Sequence, residues 1–292
     1  MFELVQVAAH TYYIQSPAKI GVYVPDGRTA YLIDSGNDKD AGRKVLKVLA
    51  EQGWQLAAIL NTHSNADHIG GNRYLQTQTG CAVYASGMEG AFTRWPQMEP
   101  AFLYGGYPFD DLRHKFLLAQ ESDALELTAA NCPAGIAPIP LPGHFFDMVG
   151  FRTPDDVVFL ADCLCSEATL AKYGVTFVYD VAAYLRTLSQ VAVMKAAQFV
   201  PAHAEATDDI APLARRNVEQ VLAVADTLLG ICRTPIPFEE ALKAVFDRYG
   251  LTMSAEQYVL VGSTVRSYLA WLKNTGRLRV SFEDNRLLWA AV

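Results

Sequence analysis

Three observations predict an α/β layered fold for this chain. Short β-prone runs alternate with helical stripes, and the most apolar runs stop abruptly on polar residues. Hydrophobic residues make up 51% of the 292 and charged residues 19%, enough apolar material for a substantial core. The first β-prone runs are FELVQV (2–7), TYYIQ (11–15), KIGVYVP (19–25) and TAYLIDSG (29–36), punctuated by turn signals such as Pro25-Asp26-Gly27. After Asp34-Ser35-Gly36 the period changes. Val45, Leu46, Val48 and Leu49 form a stripe flanked by Arg43, Lys44 and Lys47, an amphipathic helix ending near Gly53. LAAIL (56–60) is then a buried strand that runs directly into Asn61-Thr62-His63.

The stretch from about Met88 to Phe116 is rich in aromatics, Pro and Gly and has weak periodicity, so it reads as a long functional or covering loop. Its Phe92, Trp95, Phe102, Tyr104, Tyr107 and Phe109 could line a small apolar pocket. VVFLADCL (157–164) and AQFVPAH (197–203) are again strand followed by loop, with a helix over 181–196 between them.

Around Thr207 the chain changes character, which divides it into an N-terminal α/β part, 1–206, and a C-terminal helical part, 207–292. Leu213 to Leu229 is helical. Phe238, Leu242, Val245, Phe246 and Tyr249 mark a helix stopped by Gly250. Ser254 with Gln257 fits a capping box for a further helix, and Val265, Tyr268, Leu269 and Leu272 mark another that ends at Gly276. Two strands joined by Glu283-Asp284-Asn285 close the chain as a hairpin, and helices followed by a hairpin are the layout of a winged helix.

Composition excludes several classes. Lys+Arg 24 against Asp+Glu 31 gives a formal charge of −7, which argues against a protein wrapped in nucleic acid. The C-terminal part is balanced, with ten basic and ten acidic residues. Packing or homodimerisation is therefore the expected role there rather than DNA reading. No apolar stretch is long enough to span a membrane, and MFELVQVAAH has no basic region followed by an apolar one, so the expected location is the cytoplasm. The five cysteines are odd in number, scattered and without a CxxC pair, which excludes a zinc knuckle and argues against a disulfide scaffold. Cys163 and Cys165, two apart, would share one face of a strand.

The chemistry is carried by Asn61-Thr62-His63-Ser64-Asn65-Ala66-Asp67-His68-Ile69-Gly70-Gly71. Two imidazoles and a carboxylate follow a buried strand within six residues. Such groups suit Zn²⁺ or iron, and Gly-Gly allows close backbone approach behind them. His144 in Leu-Pro-Gly-His, Asp162 after VVFLA and His203 in Val-Pro-Ala-His each stand at the end of an apolar run, where α/β folds place functional groups. His10 and His114 have no such setting and read as structural.

These residues resemble the motifs of the metallo-β-lactamase superfamily: His63-Ser-Asn65-Ala-Asp67-His68 is similar to its HxHxDH signature, and Asp34, His144, Asp162 and His203 match its other motifs in order. The resemblance covers roughly residues 1–206. It implies an αββα sandwich with metals at one edge of the two sheets, and the C-terminal part resembles a winged-helix appendage that some members carry. It also implies that His63, position 65 and His144 hold a first metal, that Asp67, His68 and His203 hold a second, and that Asp162 bridges them.

The departure is Asn65, where the family pattern has histidine. An amide oxygen is a weaker ligand for Zn²⁺ than imidazole nitrogen. Asn65 could coordinate through oxygen and keep two metals, the complete site could act with one, or His63, His144 and Asp162 could hold iron as a 2-His-1-carboxylate set.

The expected activity is a zinc-dependent hydrolase acting on a small ester, thioester or lactone-like substrate through a metal-bound hydroxide. Asp67 would serve as ligand and proton shuttle, and Asp34 would orient a ligand histidine. Two other classes compete. One is an iron-dependent persulfide dioxygenase. The other is a regulatory DNA-binding protein whose site Asn65 has disabled.

Overall fold

A computed structural model describes residues 2–292. The chain runs β1 (Glu3–Gln6), β2 (Thr11–Gln15), β3 (Ile20–Tyr23), β4 (Thr29–Ile33), α1 (Lys39–Glu51), β5 (Gln55–Leu60), α2 (Ala66–Ile69), α3 (Asn72–Thr79) and β6 (Ala82–Ala85). It continues with α4 (Gly87–Arg94), α5 (Met98–Tyr104), β7 (Leu125–Glu126), β8 (Ala137–Pro140), β9 (Val149–Arg152), β10 (Val157–Ala161), α6 (Glu167–Tyr173), α7 (Val181–Val193) and β11 (Gln198–Pro201). The C-terminal part holds α8 (Ala211–Ile231), β12 (Ile236–Pro237), α9 (Phe238–Tyr249), α10 (Ala255–Asn274), β13 (Leu278–Glu283) and β14 (Arg286–Ala291).

One sheet has the order β1-β2-β3-β4-β5-β6-β7, antiparallel through β4 and parallel from β4 onward. A second has the order β11-β10-β9-β8, with β10 and β11 parallel. Period-two alternation tells each strand which layer it faces. Tyr13, Tyr23, Ile33 and Leu60 point inward and meet Phe151, Val157, Phe159 and Val200 of the second sheet. Their chain neighbours Ile14, Val22, Leu32 and Ile59 point outward, onto Val45, Val48 and Leu49 of α1 and Leu75 of α3. Val158, Leu160 and Phe199 face the other way, onto α7 and α8 through Tyr184, Leu188, Val191, Val221 and Leu228. The result is the αββα sandwich. Gly21 is required at the sheet-to-sheet contact, because a Cβ there would stand 2.7 Å from the Phe159 ring.

Helix α1 ends at Glu51, close to Gly53 as the stripe predicts, and is capped at its start by Asp38, whose carboxylate accepts the Ala41 N–H at 2.9 Å. The Asp284-Asn285 turn has both residues at positive φ, which suits the tight hairpin between β13 and β14.

Three expectations need correction. The 88–116 stretch is not a structureless loop: it folds into α4, α5 and a 3₁₀ turn at Asp110–Leu112. Its helices are too short for a readable period and are held by burial of Phe92, Glu89, Glu99 and Leu103 instead. Ser254 does cap a helix, but that helix continues unbroken to Asn274 as α10 and includes Val265 to Leu272. Cys163 and Cys165 lie beyond the end of β10, so strand alternation does not relate them.

The C-terminal helices share the core of the second sheet. Leu242, Val245, Val265, Tyr268 and Leu269 belong to one continuous apolar cluster with Val158, Leu160 and Phe199. Strand β12 pairs with β14, so the C-terminal order is helix, strand, two helices and a hairpin. Helix α10 also packs Val259 on Leu103 of α5, and its Thr264 hydroxyl accepts the Val178 N–H at 3.2 Å. No helix among the described residues is long and apolar enough to cross a membrane.

Candidate metal centre

The strands deliver the chemistry to one edge. Asp34 follows β4, His63 to His68 follow β5, Asp162 follows β10 and His203 follows β11, while His144 stands in the turn between β8 and β9. The two sheets are tied together here, since the Val149 N–H donates to the Thr62 carbonyl at 2.9 Å. Behind the loop, Gly70 and Gly71 press against the backbone of Asn37 and Ser35, where a Cβ at either position would collide with main-chain atoms. This is the close approach that the Gly-Gly pair predicts.

Two sets of donor atoms converge, each within 4.8 Å: Asp67, His68, Asp162 and His203 form one, and His63, His144 and Asp162 the other. Asp162 belongs to both. His203 Nε2 lies 3.3 Å from Asp67 Oδ2 and 3.3 Å from Asp162 Oδ2. His144 Nε2 stands 3.7 Å from Asp162 Oδ2, and the His63 and His68 rings are 4.0 Å apart. Asn65 also faces this space, with its Oδ1 3.2 Å from His144 Nε2. All seven residues expected at the metals therefore meet at one point. His10 is exposed and His114 faces Glu256 at 3.0 Å; neither joins the cluster.

Hydrogen bonds set the tautomers. Asp34 lies at φ 64, a left-handed conformation that Asp tolerates better than most residues. Its carboxylate accepts from His68 Nδ1 at 2.8 Å, from the Thr62 N–H at 2.8 Å and from the Thr62 hydroxyl at 2.8 Å. Because that hydroxyl spends its proton on Asp34, it accepts from His63 Nδ1 at 2.9 Å. His203 Nδ1 donates to the Pro17 carbonyl at 3.0 Å. Three imidazoles thus hold a proton outward on Nδ1 and turn Nε2 inward, the arrangement that prepares histidine for a cation.

The fit to a metal can be tested on the buried atoms. His63 Nε2, His68 Nε2 and Asp162 Oδ1 are all buried without a hydrogen-bond partner. His68 Nε2 and Asp162 Oδ1 are 3.2 Å apart, but they are not aligned as a hydrogen bond. Each such orphan costs about 1–3 kcal/mol unless something satisfies it. Cations held by the two donor sets would give these atoms partners, and nitrogen with carboxylate oxygen is the donor chemistry of zinc or iron.

Electrostatics agrees. Burial pushes His63 well below the ordinary histidine range, helped by the charge of His68. Burial also acts on His68, but Asp162, Asp67 and Asp34 outweigh it and hold that imidazole well above the ordinary range. Asp162 lifts His203 to about 10. Burial works against ionisation of Asp67 and Asp162 as well, yet the imidazoles keep both carboxyls below the usual carboxylate range. The centre is built to hold positive charge.

Two residues at the site were not legible in the sequence. Glu89 of α4 is buried and accepts the Ser64 N–H at 2.9 Å, the Ser64 hydroxyl at 2.7 Å and the Asp147 N–H at 2.8 Å. Burial pushes its carboxyl up to about 7 against those hydrogen bonds. Glu99 of α5 accepts from Asn65 Nδ2 at 2.6 Å, and burial pushes it well above the carboxylate range. Cys163 is buried beside Asp162, and Cys165 is pushed up to about 12 by burial; neither belongs to a ligating set.

The aromatic residues of 88–116 do not share one pocket. Phe92 and Phe102 stack on Phe145 and Phe146, next to His144, with ring centroids 5.1–6.5 Å apart. Phe102 and Tyr104 border a cavity of about 920 Å³ whose far wall is α10, with Tyr179, Arg266 and Trp271 around it. Tyr107 and Phe109 border a separate recess, and Trp95 is 55% exposed.

Residues 15–203 match the family model of the metallo-beta-lactamase superfamily. This chain belongs to that superfamily. Its curated relatives include a hydroxyacylglutathione hydrolase of Rhodopseudomonas palustris (strain BisB18), 32% identical over 130 residues, 44% of this chain and 42% of that protein. Another, from Gloeobacter violaceus, is 47% identical over 60 residues, 20% of this chain and 22% of the relative. The chain thus spans well under half the length of the curated relatives it matches. Among solved structures, a metallo-beta-lactamase family protein of Thermus thermophilus superposes with TM-score 0.73 at 18% identity, over 99% of this chain and 97% of that one. A beta-lactamase domain protein of Burkholderia ambifaria gives TM-score 0.73 at 15% identity, over 99% and 94%. At these identities the fold alone is what is shared, and that likeness extends over nearly the whole chain.

Proposed function

We propose that this protein is a zinc-dependent hydrolase of a small thioester or chemically related ester or lactone, acting in the cytoplasm. The observation that carries this reading is the pair of donor sets sharing Asp162, in which the inward nitrogens of His63 and His68 find no hydrogen-bond partner. The name hydroxyacylglutathione hydrolase, carried by relatives that match over part of their length, describes cleavage of an acyl group from a thiol, which favours the thioester among the three.

His63, Asn65, His144 and Asp162 would hold one ion, and Asp67, His68, His203 and Asp162 the other. When bound, such ions lower the pKa of water toward neutrality and polarise the oxygen that gains charge as the acyl bond breaks. The chain's own groups do the rest. Asp34 keeps His68 and, through Thr62, His63 in the productive tautomer. Asp67, at 41% side-chain exposure, is the carboxylate of the set most open to solvent and can pass a proton to the leaving group. The cavity walled by Phe102, Tyr104, Tyr179 and Trp271 is lined by none of the ligating residues; its link to the centre is the Tyr179 N–H, which donates to the His144 carbonyl at 3.1 Å.

A winged-helix-like C-terminal part acting on DNA is a weaker reading. Helix α10 would be its reading helix, but it is packed on the catalytic layers, with Arg266, Ala270, Lys273 and Asn274 left exposed along its second half.

The deciding test is metal analysis of protein purified without added metal, together with thiol release from an S-acyl substrate. Close to two zinc ions per chain with metal-dependent thiol release is the expected result. Iron with oxygen uptake on a persulfide would replace this reading with the dioxygenase. No metal and no turnover would overturn it.

A further inference from the structure

The α4–α5 segment sends two buried carboxylates to the ligand loop, and they touch it differently. Glu89 clamps backbone, taking N–H groups from Ser64 and Asp147 as well as the Ser64 hydroxyl. Glu99, 4% exposed, makes one hydrogen bond, to the side-chain nitrogen of Asn65 at 2.6 Å. An amide has one end that donates and one that accepts. An acceptor at 2.6 Å identifies the Asn65 nitrogen and fixes it toward Glu99. The oxygen must then point the other way, and it does, lying 3.2 Å from His144 Nε2 at the edge of the first donor set.

We propose that Glu99 is a positioning residue that holds Asn65 with Oδ1 on the first metal position, so that the buried Glu99–Asn65 pair replaces the histidine of the family pattern. This rests on the reading of His63, Asn65, His144 and Asp162 as a metal set. Outer partners of ligands fix orientation and raise ligand basicity. A hydrogen bond accepted from the amide nitrogen draws electron density onto the amide oxygen, as a carboxylate partner does for a ligating imidazole. With Asn65 as an oxygen donor, both halves offer two nitrogens and two oxygens, a harder set than three imidazoles and one more tolerant of iron or manganese.

The test titrates the metal-free full chain with Co²⁺ and with Zn²⁺ against a chromophoric chelator, reading the affinity of each equivalent and the visible Co²⁺ spectrum. Glu99→Leu should weaken the looser equivalent by about 10–100-fold and change its Co²⁺ band, leaving the tighter one intact. Glu99→Gln keeps an acceptor oxygen of the same reach and should hold both equivalents within about twofold of the parent. In an Asn65→Ala background Glu99→Leu should add no further loss.

A second measurement needs no change at Glu99. The Asn65 side-chain amide resonance, assigned by its disappearance in Asn65→Ala, should shift on addition of the second equivalent. Two metal equivalents that ignore Glu99→Leu, an equal loss in the Asn65→Ala background, or an Asn65 amide that does not move would overturn this inference and leave the metal centre standing. A chain that takes up no metal would overturn both.

Discussion

The two halves of the centre share Asp162 but are supported from different places. The half made by Asp67, His68 and His203 is braced by the strand ends: Asp34 holds His68, and the Pro17 carbonyl holds His203. The half made by His63, Asn65 and His144 leans on the α4–α5 segment, where Glu99 meets Asn65 and the Phe92–Phe102 stack packs on the residues after His144. One half is an output of the sandwich itself, and the other adds to its strand-borne His63 a dependence on two short helices laid over it. A ligand can therefore change type where the layer behind it changes with it.

The most severe way to break this contrast is His68→Ala or His203→Ala. Either should empty the strand-braced half and reduce turnover by at least about 10³-fold, some 4 kcal/mol of barrier, with metal content falling alongside. Equal turnover with metal retained would remove these residues from the centre.

Asp34→Asn comes next, because asparagine tolerates the same left-handed backbone but cannot accept from His68, the Thr62 N–H and the Thr62 hydroxyl together. Both halves should lose affinity by about 10–100-fold in a chelator competition. A loss confined to one half would show that the Thr62 relay to His63 has no effect.

Asn65→His sharpens the contrast from the other side. It restores a nitrogen donor, so the looser zinc equivalent should tighten by roughly tenfold in a chelator competition. An unchanged affinity of that equivalent would contradict the account of a weakened first half.

The mildest effect is pH dependence. With no metal, Asp162 and Asp67 hold a proton on His203, whose pKa of about 10 lies above its unfolded value. That group's contribution to stability is complete below the ordinary histidine pKa of roughly 6.5 and is lost as pH rises through about 10. Zinc must displace the same proton, so calorimetric titration near pH ~8 in buffers of different ionisation enthalpy should show protons released on binding. Binding without proton release would mean that His203 is already neutral.

Much of the centre is legible in the sequence because strand ends announce it. Asp34, His63, Asp67, His68, Asp162 and His203 each close an apolar run or open the loop after one, and parallel strands put such ends along one edge. Glu89 and Glu99 are not legible, since α4 and α5 are short, aromatic and interrupted by prolines, with no period to place them. Nothing local links Glu99 to Asn65 across 34 residues. The αββα layers follow from alternation, as Tyr13 with Ile14 and Phe159 with Val158 show. Alternation does not show where the second apolar layer ends, because α8 and α10 continue it with the same residue types.

That continuation has a consequence for how the molecule can come apart. Val245, Val265 and Tyr268 rest in the same apolar cluster as Leu160 and Phe199, so the second sheet and the C-terminal helices share one core. Cooperative melting of the whole chain is then the natural behaviour, and a nick near residue 207 would release no self-sufficient enzyme. A substitution that unseats α10 should loosen α5, which carries Glu99, through the contact of Val259 with Leu103.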